Sequence, residues 1–281
     1  MSKKKLLAIN LNEFNLNFLK YGAKKYNCKN INKFLNLKSV KTFSSDRIQD
    51  QNLDPWVQSI SINTGKKSKD HKIFNLGEIL PKNLFQIWDY LAKNKIYSAI
   101  WGPMNTNIKK NKFIKIFMPD PWNNQDVVKP DELDNFNKLA RYYAKNYTKK
   151  KSKIKFSYLF NTFIYLIFNG VIFNLLKNFH IFLYVIFKNG LKNYFLFFLF
   201  DITSLYIFKK ITKNKDVHFS LIFLNSLAHF QHNDWDSKSK EKDYFLFTDL
   251  ILKIIFKLSQ KYNSLIIYNG FSQKKLRQNI C

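Results

Sequence analysis

Apolar and polar positions alternate between two regimes along this chain. In the first, short apolar runs rich in β-formers are bounded by polar clusters, at Leu6–Leu11, 97–101, 219–225 and Ser264–Tyr268. Runs of that length and composition predict buried strands. Between them the spacing predicts helices over 14–25, over 56–64 (ending near Gly65), over 84–94 with Trp88 and Leu91 on one face, and over 244–262. A further helix is predicted over 131–146, where acidic residues in the first turn suit the helix dipole. Residues 117–122, with Pro119-Asp120-Pro121-Trp122, predict a turn-rich loop, because each proline fixes its own φ and restricts the residue before it. Strand, helix, strand is the grammar of crossover connections. The expected class is α/β, with a mostly parallel central sheet and helices on both faces.

The second regime is the segment 156–208, intensely apolar and aromatic. Its longest uncharged run, Phe156 to Leu176, has 21 residues, and about 20 apolar residues suffice to cross a bilayer. Asn161, Asn169, Gly170 and Asn174 interrupt it, and the asparagines share no single helical stripe. Three readings follow: an apolar helical insert packed on the sheet or at a homodimer contact, a peripheral membrane contact through aromatic and lysine side chains, or a spanning helix. The chain is therefore expected to divide into a first part of the α/β domain at 1–150, the aromatic-rich helical insert at 151–212 with a lysine-rich break at 147–155, and a continuation at 213–281.

Composition changes this picture in one respect. The 281 residues carry 46% hydrophobic residues and a net charge of +28. That is ample for a core and excludes wholesale disorder. The charge suggests nucleic acid, yet only Arg47, Arg141 and Arg277 are arginines among 47 basic residues. Lysine lacks the bidentate fork that base and phosphate recognition favours. Abundant Lys, Asn, Ile and Phe together are the mark of a genome rich in A and T. No nucleic-acid partner is expected; the lysines predict solvated faces and a field that attracts anionic substrates or lipid surfaces. Cys28 and Cys281 form no metal spacing or disulfide framework, and Leu6-Leu7-Ala8-Ile9 is too short for a signal peptide core. A cytoplasmic location is expected, extending to the inner membrane face if the insert touches lipid.

Candidate chemistry gathers where a predicted strand meets histidine. Residues 219–225 run into Ser226-Leu-Ala-His229-Phe-Gln-His232, which holds two of the five histidines three residues apart. Ligands of open α/β sheets bind at the carboxyl ends of strands. Three further blocks complete an ordered set. They are Asn10-Leu11-Asn12-Glu13 after the first strand, Asp54-Pro55-Trp56-Val57-Gln58 leading to Thr64-Gly65 and Asp70-His71-Lys72-Ile73, and the strand that ends in Asn269-Gly270.

This order of blocks resembles the alkaline phosphatase superfamily, in particular its type I phosphodiesterase / nucleotide pyrophosphatase branch. The resemblance implies two divalent ions, Zn or Mn, held by carboxylates and imidazoles, that polarise a phosphate or sulfate ester and activate a nucleophile. Carried onto this sequence, it implies Glu13, His229 and His232 as metal ligands, Asp54 at the nucleophile's place, and Asn12, Gln58 and Asn269 as substrate contacts. The sequence departs from the family's pattern in several places. Asp54 and Pro55 offer no hydroxyl, Ala228 stands where an aspartate is expected, Asn269-Gly270 replaces an Asp-His pair, and a further histidine would lie beyond residue 281. The expectation is thus a divergent relative, either a fragment or a shortened homologue. It is either a hydrolase or transferase of phosphate or sulfate esters, or a degenerate binding or scaffolding module in surface-polysaccharide assembly.

Other conspicuous residues have plain structural readings. Ser59, Ser61 and Thr64 are expected to pack or cap, the tryptophans to fill cores and loops, His71 and His218 to lie on the surface, and His180 to be buried.

Overall fold

A computed structural model describes residues 4–44, 46, 53–106, 108, 111–123, 127–146, 156–270 and 272–273. The lysine-rich break at 147–155, Arg47, Arg277 and Cys281 lie outside the described residues.

The first strand, β1 (Leu6–Leu11), leads to α1 (Leu16–Tyr26) and α2 (Lys29–Leu35). After α3 (Pro55–Thr64), α4 (Ser68–His71) and α5 (Ile87–Lys93) come β2 (Ser98–Trp101) and β3 (Ile114–Met118). A short 3-10 turn at Asp131–Leu133 opens α6 (Asp134–Asn146). The aromatic segment forms α7 (Phe156–Phe168), α8 (Val171–Leu176), α9 (Phe179–Asn189) and α10 (Asn193–Ile211). The chain then returns to the sheet as β4 (Phe219–Leu224), followed by α11 (Ser226–Asp234), α12 (Lys238–Ser259) and β5 (Ser264–Tyr268).

All five strands are parallel, in the order β3-β2-β4-β1-β5. The α/β expectation is what the chain adopts, with a parallel sheet buried in β1, β2, β3 and β4 but not along the edge strand β5. β1 and β5 keep the predicted bounds, and β2 and β4 begin or end one residue inside them. β3 was missed: it lies directly before the Pro-Asp-Pro loop, whose turn signals drown the short run Ile114–Met118. The predicted helix over 84–94 starts later, because Gln86 and Asp89 form a reciprocal capping box at the head of α5.

Side chains alternate between the two faces of the sheet, as the pleat requires. Leu7, Ile9, Leu11, Ile222 and Leu224 join the larger core, whereas Ala8, Phe219 and Leu221 join a smaller one with Trp88 of α5. The larger core is aromatic: Phe198 of α10, Phe230 of α11, and Tyr244, Phe245 and Phe247 of α12 are all fully buried. α12 lies so close to α1 that a methyl group on Gly22 would sit 2.0 Å from the Phe245 ring. Glycine at that point is a requirement of packing.

The apolar insert is not one long helix. Gly170 adopts a left-handed φ of 66° between α7 and α8 and so divides the uncharged run into two helices. Among the described residues no helix is long and apolar enough to cross a membrane. α10 is buried along most of its length in the same core as the sheet, whereas α7 buries only Thr162 and Leu166.

Candidate functional site

The connection from β1 leads toward the β3 edge, and the connection from β4 leads toward β5. The two strands are neighbours, so the chain reverses direction between them, and the crevice at their carboxyl ends is a topological switch point. Their register places Leu11 opposite Leu224, and the Asn12 backbone N–H donates to the Leu224 carbonyl at 3.0 Å. Asn12 and Asn225 therefore leave the sheet side by side.

Glu13 follows at a left-handed φ of 56°, with only 2% of its surface exposed. A non-glycine residue there costs roughly 1–2 kcal/mol, and strain of this kind gathers at functional sites. The bend is locked by the Gln231 amide, which donates to the Glu13 carbonyl at 2.9 Å, and by Asn15, which caps α1 by accepting the Phe18 N–H at 2.8 Å. It turns the Glu13 carboxylate inward. Oε1 accepts from Asn12 at 3.3 Å, and Oε2 lies 3.2 Å from Nε2 of His232 and accepts from the Gln273 amide. The hydrogen bond to Glu13 raises the His232 pKa above its usual range, against partial desolvation.

A second line of hydrogen bonds runs away from Glu13. Asn12 Nδ2 also donates to Asn225 Oδ1 at 2.7 Å, and Asn225 Nδ2 faces His229 Nε2 at 3.2 Å. With Asn225 donating, His229 accepts, so its ring is neutral. Burial, reinforced by His232, lowers its pKa to about 4. The Phe197 ring stacks on it, with centroids 3.5 Å apart and planes within 8°. Asp201 anchors the head of α11. Its Oδ2 accepts the Asn225 and Ser226 N–H groups at 3.0 and 2.8 Å, and full burial raises its pKa to about 6. The two histidines thus lie on a capped helix, not in the loop that follows a strand.

Glu13, Asn12, His229 and His232 come together as the sequence suggested. The other candidates stand apart from that cluster in their bonding. Asp54 heads α3, its carbonyl accepting the Gln58 N–H at 3.0 Å. Among the described hydrogen bonds and ion pairs its side chain makes none with Glu13, His229 or His232. Gln58 is committed to the 44–46 loop, accepting from Ser44 at 3.0 Å and donating to Asp46 at 2.8 Å. Asn269 ties the end of β5 to the Phe14 carbonyl at 3.1 Å. Asn225, Gln231, Gln273, Phe197 and Asp201 were not singled out. Asn225 had a visible signal, its place at the end of a predicted strand. Phe197 and Asp201 had none, since they reach the site from the aromatic insert.

Two histidine expectations are corrected. His71 is buried and His180 is exposed. His71 accepts the Ile73 N–H on Nδ1 at 3.0 Å, so its neutral form carries its proton on Nε2 and gives it to Ser61 Oγ, 3.1 Å away. A ring bonded in that sense cannot serve Ser61 as a base. Ser59 and Thr64 bond the Met104 and Ile60 carbonyls at 3.0 and 2.7 Å, as packing and capping residues do.

No protein-family model, curated protein or solved structure matches this chain. The likeness to the alkaline phosphatase superfamily therefore rests on the order of its sequence blocks. The side chains themselves test the implied metal. A divalent ion bound by protein needs three or four donors. Among the described residues no three histidine, cysteine, aspartate or glutamate side chains gather where they could hold one. Glu13 and His232 satisfy each other, and His229 is turned to Asn225 beneath Phe197. The residues present do not fit a pair of divalent ions.

Proposed function

We propose that this chain is a binding module built on a parallel α/β sheet. Its crevice at the ends of β1 and β4 grips a hydroxyl-bearing group, such as a sugar unit in surface-polysaccharide assembly, without cleaving an ester. The observation that carries this reading is the surround of Glu13: a buried carboxylate in a left-handed bend, met by the amides of Asn12 and Gln273 and the imidazole of His232. Amides, one carboxylate and one imidazole are donors and acceptors suited to hydroxyl groups. They supply neither an activated nucleophile nor a clamp for a transferring phosphoryl group.

The test pairs calorimetric titration of methyl glycosides with an assay of bis(p-nitrophenyl) phosphate in Zn²⁺ or Mn²⁺. A monosaccharide is expected to bind with a Kd near ~1 mM, weakened about tenfold by Glu13→Gln. No hydrolysis is expected. Metal-dependent turnover lost in both Glu13→Gln and His232→Gln would overturn the proposal in favour of a phosphoester hydrolase.

A peripheral membrane contact through α7–α9 forms the second part of the proposal. It is supported by the exposed rings of Phe156, Phe168 and Phe187, 76%, 83% and 83% exposed, with Lys177, Lys188 and Lys192 in the same segment. Co-sedimentation with anionic phosphatidylglycerol vesicles, lost when these phenylalanines become serine, is the expected result. A stable dimer in solution that binds no vesicles would assign the same face to a second copy.

A further inference from the structure

A cavity of about 370 Å³ opens beside the polar crevice, at the carboxyl ends of β2, β3 and β4. It has the volume of a small-molecule site. α6 and α7 form one wall, with Phe136 and Ala140 from the former and Leu159, Thr162 and Phe163 from the latter. α10 forms another, with Leu196 and Phe200. Trp101 and Trp122 reach it from the sheet edge. Among its polar lining residues, Asp201, Asn225, Ser226 and His229 meet near the end of β4. In a chain with a net charge of +28, no lysine or arginine is among the described residues that line it.

Three observations specify an occupant. The lining is aliphatic and aromatic over most of its extent, so it suits a hydrocarbon chain. Asp120 and Asp201, both fully buried, also line the cavity and hold backbone N–H groups, so an anionic head would meet two acids and no cation. Leu159 and Phe163, 43% and 50% exposed, bring the outer apolar face of α7 to the wall of the cavity.

We propose that this cavity binds the hydrocarbon chain of an uncharged amphiphile, a long-chain alcohol or ester, with its oxygen beside Asn225 and His229. The claim goes beyond sugar binding in the neighbouring crevice and stands without it. A fatty-acyl and an isoprenoid chain share the required chemistry.

Trp101 and Trp122 give a direct readout. A bromine-tailed dodecanol, titrated into the full-length protein, is expected to quench tryptophan fluorescence saturably, while the matching dodecanoate binds about tenfold more weakly. Displacement by farnesol at lower concentration than by dodecanol would name an isoprenoid chain; the reverse order would name an acyl chain. Ala140→Phe, from a half-buried position on α6, fills the cavity and is expected to abolish saturable quenching with the circular dichroism spectrum unchanged. Thr162→Ile is the second variant, read by the same titration if the first does not fold. Absence of saturable quenching in the folded wild type would overturn the proposal. So would quenching untouched by either folded variant. Equal affinity for alcohol and carboxylate would overturn the requirement for an uncharged head.

Discussion

The carboxyl edge of the sheet is divided between two neighbouring regions of opposite chemistry. At β1 and β4 a polar crevice is built where a left-handed bend meets the start of a helix more than two hundred residues away in sequence. At β2 and β3 an apolar cavity is built from α6, α7 and α10. The two meet at Asn225, His229 and Asp201. The contrast teaches where each kind of site draws its specificity. The crevice depends on hydrogen bonds that fix a few side chains. The cavity depends on how far helices distant in sequence hold apart.

The largest effect is expected where the regions join. Asp201→Ala removes the acceptor for two buried N–H groups at the head of α11 and should destabilise the protein by roughly 4 kcal/mol, measured by urea unfolding. The crevice and the cavity should both be lost. If only one fails, they are independent structures.

His229 comes next. Its pKa falls from 6.5 to about 4 on folding, so the native state prefers the neutral ring. Its contribution is full above pH 6.5 and is lost as pH falls toward 4. Relative to His229→Gln, the wild type should lose at most about 3 kcal/mol over that window, read as a difference in unfolding free energy. A pH-independent difference would mean that the ring is not desolvated.

Phe197→Ala removes the ring that covers His229 from the cavity side. A loss of roughly 2 kcal/mol is expected, together with a rise of the His229 pKa toward 6.5, followed by NMR titration. An unmoved titration would separate the aromatic wall from the polar crevice.

The smallest effect belongs to Glu13→Gln. His232 has a raised pKa in the folded state, so its pairing stabilises below pH 6.5 and fades as pH rises through the folded value. The His232 side chain is 57% exposed, so solvent screening limits the difference to about 0.5 kcal/mol, visible as a shift in Tm at pH 6 that disappears at alkaline pH.

Much of the fold was legible because parallel strands buried on both faces are uninterrupted apolar runs. Leu6–Leu11 needed only that signal, and Ser264–Tyr268 has the same kind of run although the edge strand it forms buries no residue. β3 escaped because five residues beside two prolines look like the start of a loop. His71 and His180 were assigned to the wrong environments for a related reason. A single imidazole carries no periodicity, and its burial depends on what packs over it. Within the site, Glu13 and His232 were legible from their places after strands, whereas Gln58 and Asp54 were not separable from them by spacing alone.

The order of apolar runs determined the α/β class by itself, because each run has to hide both its faces and helices are what the intervening sequence can offer. Only the tertiary structure decided that β1 and β4 are neighbours, that Glu13 bends inward to meet His232, and that Phe197 lies over His229. Those contacts join residues roughly two hundred positions apart or cross from the insert to the sheet. Contacts of that kind are set by the packing of whole elements, which no local stretch of sequence encodes.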